Sequence, residues 1–147
     1  MSTSADDTSG PTLEEMSREE CFQLVASLSV GRVAVGRHED PPLVVPVNYV
    51  LDGEVIVFRS DPGTKILALR EQPISFQVDF VDPFHKAGWS VLVTGVAYEA
   101  TPVEVDHLTV ESWAGGDKEH CVRVLPLKVS GRRIRLPEIR TSNRGYL

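Results

Sequence analysis

Cysteine, tryptophan and long apolar runs are all scarce in this chain of 147 residues, and each scarcity excludes something. Cys21 and Cys121 lie far apart without metal-type spacing, so neither a disulfide framework nor a thiolate metal centre organises the fold. They are expected to be reduced thiols of a cytoplasmic protein, acting as small core residues. The apolar runs are strand-length and interrupted, so no segment is expected to span a membrane. The polar, acidic start Met1-Ser2-Thr3-Ser4-Ala5-Asp6-Asp7 lacks the apolar stretch of a secretory signal. Basic residues are the minority, 15 against 21 acidic, and the net charge of -6 argues against nucleic-acid binding by the whole surface. The four histidines show no ligand spacing, so no metal site is expected. The length suits one buried core and not two ordinary domains.

What is present concentrates in one segment, Asp52-Gly53-Glu54-Val55-Ile56-Val57-Phe58-Arg59-Ser60-Asp61-Pro62-Gly63-Thr64-Lys65. Asp-Gly between apolar runs predicts a hairpin whose two turn residues both take positive φ. A strand follows, then a basic, hydroxyl-bearing loop that opens a helix near Thr64. Unpaired N–H groups and the positive end of the dipole at such a helix start attract an anion, phosphate above all.

Around that segment the pattern is mostly strand. Residues 1–12 are polar and expected to be a disordered tail. Ser17 opens a capping box with Glu20, and Cys21, Phe22, Leu24, Val25 and Leu28 follow at helical spacing. Strands are expected over 31–37, 43–51, 54–59, 74–81, 88–98 and 121–129, the fifth being the longest and bulged at Gly95. Short helices are expected after Thr64 and from Pro102, the latter carrying Val103, Val105, Leu108 and Val110. Gly131 is read as preceding an arginine-rich tail of Arg132, Arg133, Arg135, Arg140 and Arg144. Six strands joined by tight turns, with no long crossovers, predict a mainly β (α+β) fold: a six-stranded antiparallel barrel with short helices outside it. Its single domain is expected over 13–137, with 138–147 as a C-terminal tail.

The local words, in order, are Ser29-Val30-Gly31-Arg32-Val33, Pro46-Val47-Asn48-Tyr49, Phe58-Arg59-Ser60 with Gly63-Thr64-Lys65, Gly88-Trp89-Ser90-Val91 with Thr94-Gly95, and Cys121-Val122-Arg123-Val124 leading to Gly131-Arg132-Arg133-Ile134. With them the chain resembles the FMN-binding split-barrel proteins, the pyridoxamine 5'-phosphate oxidase-like group in its small actinobacterial-type form, over roughly residues 17–135. The resemblance implies a homodimer with a flavin site at each subunit interface, FMN as cofactor, and a flavin-dependent oxidoreductase moving a hydride to or from a small molecule. Two other readings stay open: a reductase using the deazaflavin coenzyme, for which the arginine-rich tail is suited, and a non-enzymatic flavin-binding carrier or sensor.

By that resemblance Lys65 contacts the FMN phosphate, with Thr64 and Ser60 as hydroxyl donors and Arg59 as a second cation; Arg59 could instead pair with Asp61. Pro46, Val47 and Asn48 lie along the isoalloxazine edge. Asn48, polar in an apolar run, needs a partner if buried, either the flavin or a neighbouring strand. Relatives often carry a basic residue where this chain has Val45. Trp113 either covers the flavin of the partner subunit or pins its own loop, and Trp89 is read as interface or core packing. His120 is read first as a strand-end residue bonded to backbone, with proton supply beside a flavin as the alternative. No catalytic acid or base is assigned. Pyridoxamine phosphate oxidases proper hold substrate with an Arg-x-His word; Arg133-Ile134-Arg135 has no such histidine, which argues against vitamin oxidation.

Overall fold

A computed structural model of the chain describes residues 10–60, 73–111 and 120–135. Its strands are β1 (Thr12–Glu15), β2 (Val30–Val35), β3 (Leu43–Asp52), β4 (Val55–Ser60), β5 (Pro73–Asp82), β6 (Ala87–Glu99) and β7 (His120–Arg135); its helices are α1 (Arg18–Ala26) and α2 (Pro102–Val105). All strand pairings are antiparallel, in the order β1-β7-β4-β3-β2-β5-β6, and β6 returns to β7. That last pairing closes six strands into a barrel and leaves β1 as an appendage.

β7 makes the closure possible. Along one edge it pairs with β6 from Val122 to Ile134, while its other edge serves β4 at His120–Val124 and β1 at Arg132–Arg135. It is the longest strand, longer than β6, so the sequence expectation is corrected there. Gly131, Arg132, Arg133 and Arg135 belong to this strand rather than to a tail. The reason is pairing: β1, for which the sequence carried no pattern, supplies a partner for the basic end of β7, and Glu14 takes Arg133 and Arg135 as ion-pair partners at 3.4 and 2.8 Å.

The barrel is filled by its own side chains, as expected for so few strands. Val33, Ile56, Phe58, Phe76, Val91, Val93 and Val124 have no exposed surface. Alternation puts these residues inward and their neighbours outward, which is the period-2 pattern in the sequence. α1 packs across one side of the barrel. Ser17 caps it, its Oγ accepting from the Glu20 amide at 3.2 Å, and Cys21 and Val25 are fully buried. Glu20 does not return the bond, as a capping box requires; its carboxylate lies 2.9 Å from Arg133 Nη1 instead.

Two local expectations are shifted. The β3–β4 turn consists of Gly53 and Glu54, because Asp52 pairs with Val55 in the ladder; of the turn residues Gly53 alone has positive φ, +62°. This is the primed-turn form with glycine at its first central position. α2 spans only Pro102–Val105 and buries none of its residues, so the apolar spacing out to Val110 did not make one helix. The bulge predicted at Gly95 is present, as a register shift between Thr94 and Gly95 opposite Pro126 and Leu127. The helix expected after Thr64 lies outside the described residues.

Candidate functional site

The candidate residues on β3 and β4 divide between the two faces of the sheet. Pro46 and Arg59 are exposed on the outer face and Asn48 is half-buried there, whereas Val47 and Ser60 turn into the barrel at 9% and 5% exposure. A ligand outside the barrel can therefore reach Val47 only through its backbone. Asn48 and Ser60 both have interaction partners. Val30 pairs with Asn48, and Arg59 with Cys121. One step past the Tyr49–Phe58 pair, Asn48 and Arg59 take neighbouring positions on β3 and β4. The outer face thus carries Val30, Asn48, Arg59 and Cys121 across four adjacent strands. Lys65, Thr64 and Trp113 lie outside the described residues.

Arg59 opens onto a cavity of about 520 Å³. Its floor includes Arg59, Ala100 and Cys121, and its wall includes Pro102, Val105 and Leu108 from the segment after β6. The guanidinium donates from Nη1 to the Val110 carbonyl at 3.4 Å, a long and weak bond. Among the described residues no carboxylate pairs with Arg59. Asp61, the alternative partner, lies outside the described residues, and Asp106, which also lines the cavity, is beyond ion-pair distance of Arg59; a cation with no described counter-ion facing a cavity fits an anionic group.

A polar network that sequence reasoning missed holds the wall. Arg123 points outward from β7, next to Val57 of β4, and its Nη1 reaches Asp52 Oδ2 on β3 at 3.0 Å. Its side chain therefore crosses β4, over Val57, which is fully buried although it faces outward. Asp52 Oδ1 also meets His107 Nε2 at 3.2 Å, and that bond, with the charges of His107 and Arg123, holds the Asp52 carboxyl below its ordinary range. Glu104 Oε1 accepts from the Thr101 amide at 2.9 Å and from Thr101 Oγ1 at 3.0 Å, and Oε2 accepts from Tyr98 Oη at 3.2 Å. These bonds, led by the Thr101 amide, lower the Glu104 pKa. The word Thr101-Pro102-Val103-Glu104 is a capping signature in the sequence. Nothing comparable marks Arg123, because a lone outward arginine between two inward valines has the pattern of a solvated strand position.

His120 pairs with Ser60 at the inward-facing end of β7, and its Nδ1 is hydrogen-bonded to Glu99 Oε1. The expected backbone partner is thus replaced by a carboxylate. Trp89 is partly buried and packs against the core. Among the described residues no group of three or more His, Cys, Asp and Glu side chains is placed to hold a metal ion, and no helix is long and apolar enough to cross a membrane.

The model of the pyridoxamine 5'-phosphate oxidase family matches residues 17–133, from just before α1 into the last pairings along β7. The chain belongs to the pyridoxamine 5'-phosphate oxidase family. An uncharacterized Mycobacterium tuberculosis protein is 33% identical over 129 residues, 82% of this chain and 84% of its own. Among solved structures, a putative pyridoxamine 5'-phosphate oxidase from Corynebacterium glutamicum superposes with a TM-score of 0.73 at 27% identity, covering 86% of this chain and 96% of its own. An FAD binding protein from Mycobacterium smegmatis superposes at 0.66 with 29% identity, covering 84% and 100%. The family match over residues 17–133 takes in β4 and all but the last two residues of β7.

Proposed function

We propose that the protein is a flavin-dependent oxidoreductase of small molecules, binding the FMN moiety, as FMN itself or as the corresponding half of FAD, at the interface of a homodimer. The observation that carries this reading is Arg59, a cation with no carboxylate partner among the described residues, facing a 520 Å³ cavity on the outer wall of a filled barrel. A phosphate monoester needs such a charge, and a planar ring needs a site outside a barrel that has no interior space. The M. smegmatis relative named as an FAD binding protein supports a flavin over other phosphate esters.

In this reading Arg59 and Lys65 neutralise the phosphate, Thr64 donates a hydroxyl, and the outward Pro46 and Asn48 offer an apolar edge and an amide to the ring side. Val47 contributes backbone, and Trp113 covers the partner's site. The cofactor supplies hydride transfer, and the chain supplies anchoring, orientation and the shape of the substrate pocket.

A second copy is supported by an apolar row on the outer face. Leu13, Ile134, Gly88 and Val81 are register partners across β1, β7, β6 and β5, and the three with side chains are 65%, 40% and 65% exposed. Contiguous exposed apolar surface of this kind marks an interaction face.

The test is the ultraviolet-visible spectrum of the purified protein with parallel titrations of FMN, FAD and the deazaflavin coenzyme, and light scattering for mass. Expected are a bound-flavin spectrum or micromolar binding of FMN or FAD, and a dimer. Preference for the deazaflavin coenzyme would move the protein to the other reductase class; no binding of any of the three would end the reading.

A further inference from the structure

We propose that Arg123 is the positioning residue of the Arg59 cavity, clamping the 101–110 segment in an open position from which an anion on Arg59 lets it close. This rests on the cavity being a ligand site, as above, and concerns what sets its shape.

Apolar packing holds the segment only loosely: Val105, Leu108 and Val110 are half-buried and none of its residues is fully buried. α2 buries no residue, and Val103 is 79% exposed. Polar bonds hold it at two ends. Near the start, Arg123 Nη1 donates to Asp52 Oδ2 at 3.0 Å and to the Glu104 carbonyl at 3.4 Å, and Asp52 also holds His107. At the far end, Arg59 Nη1 donates to the Val110 carbonyl at 3.4 Å.

One donor of the clamp is left over. Among the described residues Arg123 Nε is buried with no hydrogen-bond partner, and Glu104 Oε2 is 3.9 Å away, too far for a bond. A buried, unmade hydrogen bond to a charged group favours any movement that completes it. A shift of Glu104 toward the sheet by about 1 Å would do so, moving α2 onto the cavity floor. The opposing restraint is Arg59, which ties Val110 by its weak bond. An anion bound to Arg59 competes with that carbonyl and frees the far end. The segment then pivots on the clamp, Glu104 Oε2 passes from Tyr98 to Arg123 Nε, and the wall closes over the ligand. No group need change its charge.

Site-resolved amide exchange reads this directly at the Glu104 amide, bonded to Thr101, and the Leu108 amide, bonded to Val105. Without added ligand, Arg123→Met should speed exchange at both amides by about tenfold, with the amides of β5 and β6 unchanged. Unchanged exchange at both, or equal acceleration in β5, overturns the clamp. Glu104→Gln keeps an acceptor oxygen for Thr101 and puts in place of Oε2 an NH2 that Tyr98 Oη can accept from, so nothing is left for Arg123 Nε to donate to. With FMN as the probe, it should weaken binding by about tenfold while leaving exchange of the ligand-free protein as in the wild type. FMN should also slow exchange at Leu108 in the wild type. Wild-type affinity in Glu104→Gln, or faster exchange at Leu108 on adding FMN, overturns the closure. If the wild type binds no FMN, the flavin reading fails by itself, and the ligand-free exchange of Arg123→Met still decides the clamp.

Discussion

Gly95 runs so close to Leu125 that a Cβ built on it would stand 1.9 Å from the Leu125 carbonyl oxygen and 2.9 Å from the carbonyl carbon. The obstacle is backbone at the β6–β7 bulge, so no side-chain rotation relieves it. Gly95→Ala is therefore expected to destabilise the barrel by about 3 kcal/mol, the upper part of the range for overpacking. Gly36 is the control: a Cβ there would meet nothing within 4 Å, and Gly36→Ala should stay within about 0.5 kcal/mol of wild type. Urea denaturation of the two variants checks both values; equal midpoints would show that the bulge yields.

Tyr49 joins two layers. Its hydroxyl donates to the Val25 carbonyl near the end of α1, and its ring meets Phe76 edge-on at 4.8 Å. Burial pushes its phenol pKa well above the ordinary tyrosine value, so the group donates at any physiological pH. Tyr49→Phe keeps the ring contact and deletes the bond. A loss of about 1 kcal/mol is expected in urea melts, because Val25 keeps backbone donors as partial replacement. A stability equal to wild type would mean that the hydroxyl contributes nothing to docking α1.

The barrel was legible because alternation is a local signal. Val33 and Val35, Ile74, Phe76 and Val78, and Val91 and Val93 each announce an inward face by their spacing alone. β1 was not legible: Thr12-Leu13-Glu14-Glu15 has no apolar alternation, and it becomes a strand through pairing with Arg132–Arg135 far along the chain. The same non-locality hid the arginines of β7, whose partners Glu14 and Glu20 precede them by more than a hundred residues. At the site, Arg59 was found from its neighbours in sequence, since a basic residue ahead of a Gly-Thr-Lys word is a local clue. Arg123 and Asp52 were not, since a charge bridging β7 to β3 across β4 leaves no trace in spacing. The turn was displaced by one residue for a related reason: Asp52 is committed to the ladder and to Arg123, so Gly53 takes the positive φ with Glu54 beside it.

Arg59 separates ligand binding from folding. It is exposed, and its bond to the Val110 carbonyl is long, so Arg59→Ala should leave the urea midpoint unchanged within about 0.5 kcal/mol. The same variant should weaken FMN binding by about tenfold or more, the effect of deleting a charge-assisted bond to phosphate. Lys65→Ala is expected to act in the same direction. Fluorescence titration of FMN on both variants, with riboflavin as the phosphate-free control, reads the effect. Equal loss for riboflavin and FMN would place these cations away from the phosphate.

Acid should release β1 before it unfolds the barrel. Glu14 accepts from Arg133 at 3.4 Å and pairs with Arg135 at 2.8 Å, and the Arg133 bond, with both positive charges, lowers its pKa below the usual 4.5. A carboxyl whose folded pKa lies below its unfolded one stabilises the fold fully above the unfolded value and loses that contribution as pH falls through the folded value. The window therefore opens below about pH 4.5 and extends downward. Protection of the Met16 amide, which bonds the Gly131 carbonyl at 2.9 Å just beyond β1, should fall through that window while Val91 and Val93 in β6 stay protected. Glu14→Gln should lower that protection at neutral pH and flatten its dependence on acid, because the amide cannot titrate and Arg133 keeps only Glu20 at 2.9 Å. A Met16 amide that loses protection together with β6, at one pH, would mean that β1 and the barrel form a single acid-unfolding unit and that the Glu14 pairs do not govern the edge.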